Sequence, residues 1–595
     1  MRLSFTLAGL LALTACRASG SSPAPGLHQR AALDDEAKPS GAAAPPTPRG
    51  PTGVEPDTVP LPAWPTGEPW PGLTLDITPD PARAEATVAV RVSGEHAAAV
   101  REITVARAWA DARGAETLSA VRAHDVEGEI PLQPHADDGG PDDVYGLARA
   151  PVGGDFALVY RAHANAGRSR FALRVAEGRL SGVGHTFLLL PRIEKPVPAR
   201  VRIHAGALGS GADAASSFGF GAETVTSATS EDLAHAVYVA GMLWREGSTS
   251  PELVVLGDPP FDTHTAWDHA VRTSAAVDRF FLPGLRGPAD PAPFIFVLVA
   301  QRDLGAARDG AYLTRSLGVW FDAHQPLDGE LDLVMAHELT HRFLGGTVRL
   351  IGRDEREATW FSEGFTVHFA RRALLDAGLL TPAVFVADVN RSLDGGNLPA
   401  DYRRGALHAA WLDAAVRRAS HGRRSLDDVV RELVAGARSA GVASFPVTAL
   451  RDALAREIGP EGAAHIDRLE ADDDAPVDLP DDAFGPCARR AGDRRTAFDL
   501  GFERGSLDLQ PAVVRGVEKG SAAERAGVRE GSLVLRARVP EEAQAMGSAR
   551  AEVELLLAPG RRIRYRPVGT KRVSTWVPAP CHVRAAGRAS SRRAP

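Results

Sequence analysis

The sequence predicts a multidomain α+β chain: a β-rich N-terminal unit, a central unit of buried strands and helices, and a small C-terminal β unit. Three observations carry this expectation. Short runs of alternating polarity, separated by turn residues, fill the region after a low-complexity stretch. The centre combines unbroken apolar runs of strand length with longer stretches at helical spacing. A Gly- and Ala-rich motif flanked by short apolar runs marks the last hundred or so residues. With 595 residues, 44% hydrophobic and 24% charged, the chain can bury several cores, and about three folded domains are expected. The formal charge of −7 is small for this length and the basic residues are dispersed, so no nucleic-acid partner is expected.

Residues 1–16 read as a targeting segment: Arg2 gives a positive start, and Leu3 to Ala15 form an apolar run too short to span a bilayer. The end of the run, Leu13-Thr14-Ala15-Cys16, resembles a bacterial lipobox. That resemblance implies cleavage before Cys16 and lipidation of its thiol, which would anchor the chain to a membrane surface without spanning it. A plain signal peptide with an incidental cysteine is the alternative. Arg17 after the cysteine resembles the pattern sent to the outer membrane, so the expected location is the bacterial cell envelope, facing the periplasm or the cell surface. Residues 17–66 are rich in Pro, Gly, Ala and Ser, too poor in apolar area to order themselves, and read as a tether.

Residues 67–218 carry the alternating runs, among them Leu73 to Ile77, Ala86 to Val92 and Ala199 to Ile203, and suggest a β-sandwich. His185 in this region reads as structural. Residues 219–470 form the expected catalytic unit. Glu252 to Gly257 and Pro293 to Val299 read as buried strands, with a helical pattern over 264–281 between them. Leu407, Trp411, Leu412 and Val416 recur at helical spacing, and Ser425 with Asp427 and Asp428 reads as the start of a further helix.

The chemistry lies in Val334 to Phe343, an apolar, helix-like run that contains H-E-x-x-H. Residues four apart share a helix face, so His337 and His341 can direct two imidazoles at one zinc ion. Glu338 is offset by one position and stands beside such an ion as a base for the water it activates. A hydrolytic zinc site needs a third protein ligand and an open position. Glu363, in Trp360-Phe361-Ser362-Glu363-Gly364-Phe365-Thr366, follows His341 with 21 residues between, room for a loop and the start of a second helix. An amphipathic helix with two histidines and an exposed helix acid is the alternative.

H-E-x-x-H with a downstream glutamate in W-F-S-E-G-F-T resembles the gluzincins, the thermolysin-like zinc peptidases. The resemblance is strongest to the glycyl-aminopeptidase family (metallopeptidase family sixty-one), whose members often end in a PDZ domain. It implies a thermolysin-like central domain, one zinc ion held by His337, His341 and Glu363, Glu338 as general base, and peptide or protein substrates. It also implies that Tyr402, in Asp401-Tyr402-Arg403-Arg404-Gly405-Ala406-Leu407 just ahead of a helix, faces the zinc and donates to the oxyanion. A packing tyrosine is the alternative. One departure stands out. Aminopeptidases of this kind hold the substrate amine with a glutamate in a Gly-rich strand, and the matching stretch here, Asp309 to Ser316, has Leu313 at that place. Aminopeptidase specificity is therefore doubtful; Asp309 and Glu330 are the acids that could substitute. The strand itself can still bind substrate backbone as an added edge.

Residues 484–583 resemble a PDZ domain on two stretches. Phe498-Asp499-Leu500-Gly501-Phe502 resembles the carboxylate loop, which implies peptide binding by Leu500, Gly501 and Phe502. Gly520 to Ser532 is similar to the glycine- and alanine-patterned run of bacterial PDZ domains, and Pro511 to Val514 reads as a strand. The implied partner is the C-terminus of a peptide. Cys487 and Cys581 bracket this unit; in an oxidising compartment they form a bridge or remain two buried thiols. Residues 584–595 read as a disordered tail. The alternative for the whole chain is a catalytically silent scaffold lipoprotein that keeps its zinc as a structural relic; a gluzincin acting on a non-peptide substrate is a third reading.

Overall fold

The computed structural model describes residues 70–581 except 111, 136–139, 165–168, 249, 285–292, 303–307, 394–398, 472–476, 492–493, 508–510, 541–549 and 573–574. The targeting segment with Cys16, the 17–66 tether and the 584–595 tail lie outside the described residues.

The chain is a mixed α/β assembly of several sheets with a helical layer. In the N-terminal part, a seven-stranded sheet built around Gly72–Asp80, Glu85–Ser93 and Asp155–His163 shares its core with a four-stranded and a five-stranded sheet. The alternating runs behave as period-two strands: Val88, Val90 and Val92 are buried, while Thr87, Ala89 and Arg91 are half-exposed. These sheets continue past the boundary expected at 218. Val237–Gly241 pairs antiparallel with Arg179–Val183. The Ser- and Gly-rich residues after 215 form a tight turn between two paired strands.

The central part holds a second five-stranded sheet: β1 Leu243–Glu246, β2 Glu252–Leu256, β3 Ile295–Gln301, β4 Arg308–Leu313 and β5 Ser316–Asp322, in the order β1-β2-β3-β5-β4. Its inner strands β2, β3 and β5 run parallel. They are covered on both faces, which explains their unbroken apolar runs. One face, with Val254, Val297 and Trp320, packs on Trp109, Phe171 and Val237 of the N-terminal part. The other, with Leu253, Phe296 and Leu298, packs on the helices. Strand β4 is an antiparallel edge.

Six helices matter for the site: α1 Thr263–Phe281, α2 Gly329–Thr340, α3 Thr366–Asp376, α4 Pro382–Leu393, α5 Ala400–Ala419 and α6 Leu426–Ala440. Helix α1 fills the helical pattern expected over 264–281. Helix α6 starts on a capping box, with the Ser425 N–H and hydroxyl both directed at the Asp428 carboxylate. Helix α5 begins earlier than its apolar spacing suggested. Tyr402 lies inside its first turn rather than ahead of it, because Pro399 sits where a missing N–H breaks no helical bond.

Cys487 and Cys581 are bridged, their Cα atoms 5.0 Å apart. The bridge closes a two-stranded ribbon, Ala488–Ala491 against Thr575–Pro578, that belongs to the helical core rather than to the small C-terminal core. Trp576 is buried there, and the Asn390 side chain on α4 clamps it by accepting its N–H and donating to its carbonyl, each at 2.9 Å. Leu500, Phe502, Val528, Val553 and Ile563 form the separate C-terminal core. The strand expected at Pro511 to Val514 reduces to a single bridge, Val513 to Leu533; Pro511 has no N–H to contribute to a ladder. No helix among the described residues is long and apolar enough to cross a membrane.

Candidate metal centre

Helix α2 presents the H-E-x-x-H residues to a cleft. Asp328 caps it, its carboxylate accepting the N–H groups of Glu330 and Leu331 at 3.0 and 3.2 Å, and Arg308 holds that carboxylate from β4. Leu331, Met335 and Leu339 fill one buried stripe against the helical core. On the other face His337 keeps 14% side-chain exposure, while His341 and Glu338 are buried. The His341 Nδ1 lies 3.3 Å from the Leu344 carbonyl, which fixes the proton on Nδ1 and leaves Nε2 as the donor atom.

Glu363 arrives on a π-helical turn, Trp360–Phe365, that leads into α3. Such turns re-aim one side chain relative to the surrounding helix. Trp360, Phe361 and Phe365 are all buried and anchor the turn. The turn packs directly on α5. A Cβ on Gly364 would lie 2.5 Å from the Gly405 Cα, and one on Gly405 would lie 2.0 Å from the Trp360 carbonyl oxygen. Only glycines allow this backbone contact, and it brings Tyr402 beside Glu363.

The three expected donors converge. His337 Nε2 is 3.2 Å from His341 Nε2 and 3.3 Å from Glu363 Oε2, and His341 Nε2 is 3.5 Å from the same oxygen. A regular tetrahedron with zinc–ligand bonds of roughly 2.0–2.1 Å has edges of about 3.3–3.4 Å, so the triangle fits one face of a zinc polyhedron. The electrostatics agree. Burial opposes a charge on His341, yet the Glu363 carboxylate outweighs it and pushes the imidazole pKa up to about 9. Burial likewise raises Glu363, and the two imidazoles outweigh it, holding the carboxyl far below its usual range. A pocket that so favours positive charge suits a divalent cation. His337, Glu338 and His341 also lie within 4.8 Å of one another, a looser grouping with Glu338 as the third member. The triangle closed by Glu363 is the tighter of the two, with sides of 3.2, 3.3 and 3.5 Å.

Glu338 stands beside the triangle. Its Oε2 accepts the Tyr312 N–H at 2.9 Å from strand β4. The strand approaches so closely that a Cβ on Gly310 would fall 2.5 Å from Glu338 Cγ. Burial raises the Glu338 carboxyl pKa, with the neighbouring imidazoles pulling the other way. Tyr402 also lies against the triangle, its ring stacked on His337 with centroids 5.8 Å apart and planes 12° from parallel. Burial and the hydrogen-bonded Glu363 carboxylate keep its phenol protonated, hence a donor.

Other expected residues fall elsewhere. Leu313 is buried among Trp320, Phe171 and Ala311. Asp309 is paired with Arg170 at 2.7 Å, and Glu330 with Arg391 at 2.8 Å. His185 stacks on Trp109, as a structural residue does. In the C-terminal unit the side chains of Leu500 and Phe502 are core residues. The Gly501 N–H, expected to receive a peptide carboxylate, already donates to the buried Asp499 carboxylate at 2.9 Å. An aspartate two residues before an amide closes such a turn locally. Sequence reasoning missed Gly310, Tyr312, Gly364 and Gly405. The two glycines beside the motif residues, at 364 and 405, were the available signal for a close helix crossing.

No protein-family model matches the chain, and no curated protein matches it. Solved structures do. An M1 zinc metallopeptidase from Deinococcus radiodurans aligns with 17% identity over 67% of this chain and 93% of its own, at a TM-score of 0.44. An aminopeptidase N family protein from Idiomarina loihiensis aligns with 14% identity over 85% of this chain and 96% of its own, at a TM-score of 0.60. The chain therefore shares the overall fold of that aminopeptidase N family protein along most of its length.

Proposed function

We propose that this chain is a zinc-dependent peptidase that hydrolyses peptide bonds. The observation that carries the reading is the triangle of His337, His341 and Glu363 at 3.2, 3.3 and 3.5 Å, with Glu338 and Tyr402 beside it. Zinc bound by those three residues supplies Lewis-acid chemistry, polarising the scissile carbonyl and acidifying water. Glu338 takes the water's proton on its carboxylate and passes it to the leaving nitrogen. The Tyr312 N–H keeps that carboxylate aimed during the exchange. The Tyr402 phenol donates to the oxygen on which negative charge develops. Strand β4, the edge of its sheet among the described residues, lies beside the site and can add the substrate as a further strand.

The motif resemblance supports a gluzincin of the glycyl-aminopeptidase type, with an N-terminal sandwich and a PDZ-like C-terminal unit. The lipobox-like end at Cys16 supports a lipid-anchored protein of the cell envelope. Glu338→Gln tests the core of the proposal: zinc content should stay at one per chain while peptide hydrolysis is lost. Unchanged hydrolysis removes Glu338 as the base.

A further inference from the structure

The side chains around the cleft point to which peptides it accepts, given the peptidase reading above. Four carboxylates outside the donor set sit on the elements that frame the site, and each meets an arginine. Asp309 on β4 pairs with Arg170 at 2.7 Å. Glu357, ahead of the π-helical turn, pairs with Arg349 at 3.4 Å. Asp401, beside Tyr402, pairs with Arg404 at 2.8 Å. Glu330 lies between Arg391 at 2.8 Å and Arg308 at 3.7 Å.

The Asp309 pair differs from the others because it joins two parts of the chain. Arg170 comes from the N-terminal part and reaches across to the edge strand. Next to it, Phe171 packs edge-on against Trp320 at 4.9 Å between centroids. Trp320 is the residue opposite Asp309 in the β4–β5 register. The Arg170–Phe171 segment thus covers β4 at the residue preceding Gly310, which lies against Glu338. Further along the same strand face, Ala311 and Leu313 are buried in an apolar cluster.

A peptide laid on β4 would meet the N–H of Gly310, which shares its orientation with the Tyr312 N–H already donated to Glu338. A free terminal ammonium there needs an uncompensated anion, because an amine withdrawn from water without one loses its solvation. Asp309 carries the only charge of that sign described on β4, and the Arg170 guanidinium neutralises it. We propose that Arg170 is a positioning residue that closes this end of the cleft to a free amine, so that the enzyme is an endopeptidase cutting internal bonds of extended peptides. Arg170 acts through Asp309 and touches no reacting atom.

Two fluorogenic peptides test this, identical except that one is N-acetylated, together with mass analysis of the products. The zinc-loaded wild-type chain should cleave both with kcat/KM values within about threefold of each other, at internal bonds. Arg170→Met removes this guanidinium from Asp309 and should raise the free-amine peptide over the acetylated one by about tenfold, whereas Arg170→Lys, which keeps the charge, should retain the wild-type ratio. The ratio within each variant is insensitive to how much of it folds. A wild-type preference above about tenfold for the free amine, with stepwise release of single residues, overturns the inference. So does an unchanged ratio in Arg170→Met. Failure of the zinc-loaded wild type to cut either peptide refutes the peptidase reading itself, and this inference with it.

Discussion

Replacing Gly310 by alanine isolates the contact between strand β4 and the base. Gly310 does not have a positive φ, so alanine fits its backbone and the edge strand should form as before. The added methyl would stand 2.5 Å from Glu338 Cγ, 2.9 Å from Oε1 and 3.0 Å from Cδ. Ordinary contact begins near 3.4 Å, so the glutamate arm must retreat by about 0.9 Å. That retreat pulls Oε2 off the Tyr312 N–H that aims it. A displacement of this size at a reacting group costs on the order of 100-fold in rate, or about 2.7 kcal/mol in the barrier. The assay is kcat for an N-acetylated fluorogenic peptide, with zinc content and far-ultraviolet circular dichroism measured on the same preparation. Zinc and spectrum should be unchanged. In the Glu338→Gln background the same glycine change should cost almost nothing more, because both act through one carboxylate. A Gly310→Ala enzyme with full zinc and kcat within about threefold of wild type would refute the reasoning.

Other outcomes follow from the same geometry. Gly405→Ala places a methyl 2.0 Å from the Trp360 carbonyl and must part α5 from the π-helical turn; urea unfolding should show a loss of about 1–3 kcal/mol, with activity falling along with Tyr402's placement. Removing the bridge by Cys487→Ser, which frees a loop with 94 residues of sequence separation, should cost about 2–4 kcal/mol and expose the ribbon to protease, read by unfolding midpoint and limited proteolysis. His368 on α3 is buried, and burial lowers its pKa to about 3, against about 6.5 in an unfolded chain. Unfolded chains therefore take up a proton that the native state refuses. The stability this residue lends is complete above pH 6.5 and is lost as pH falls toward 3, so His368→Gln should flatten the acid limb of the thermal midpoint. A chelator should abolish hydrolysis, and stoichiometric zinc should restore it.

Much of this centre was legible before any coordinates. The i, i+4 spacing of His337 and His341 dictates a shared helix face, and a third donor was needed, which made Glu363 readable from its spacing after His341 and from the motif around it. The buried parallel strands announced themselves as unbroken apolar runs. Less local facts were not legible. The sheets of the N-terminal part run on past 218 through the pairing of Arg179–Val183 with Val237–Gly241, a long-range contact that local composition does not reveal. Tyr402 was assigned ahead of its helix because Pro399 and the charged residues after it hide the first turn from the apolar periodicity. The cysteine ribbon was assigned to the C-terminal unit by sequence proximity, whereas Trp576 is buried in the helical core.

What the chain order alone determined is the chemistry at hand: which side chains carry nitrogen or oxygen donors, and which of them share a helix face, because covalent spacing and helix pitch are local. What only the folded protein decided is their relation to partners far away in sequence. Gly364 meeting Gly405, Gly310 lying against Glu338 and Arg170 covering Asp309 each join segments tens to more than a hundred residues apart. Such contacts depend on how sheets and helices pack, and no local pattern encodes the distance between them.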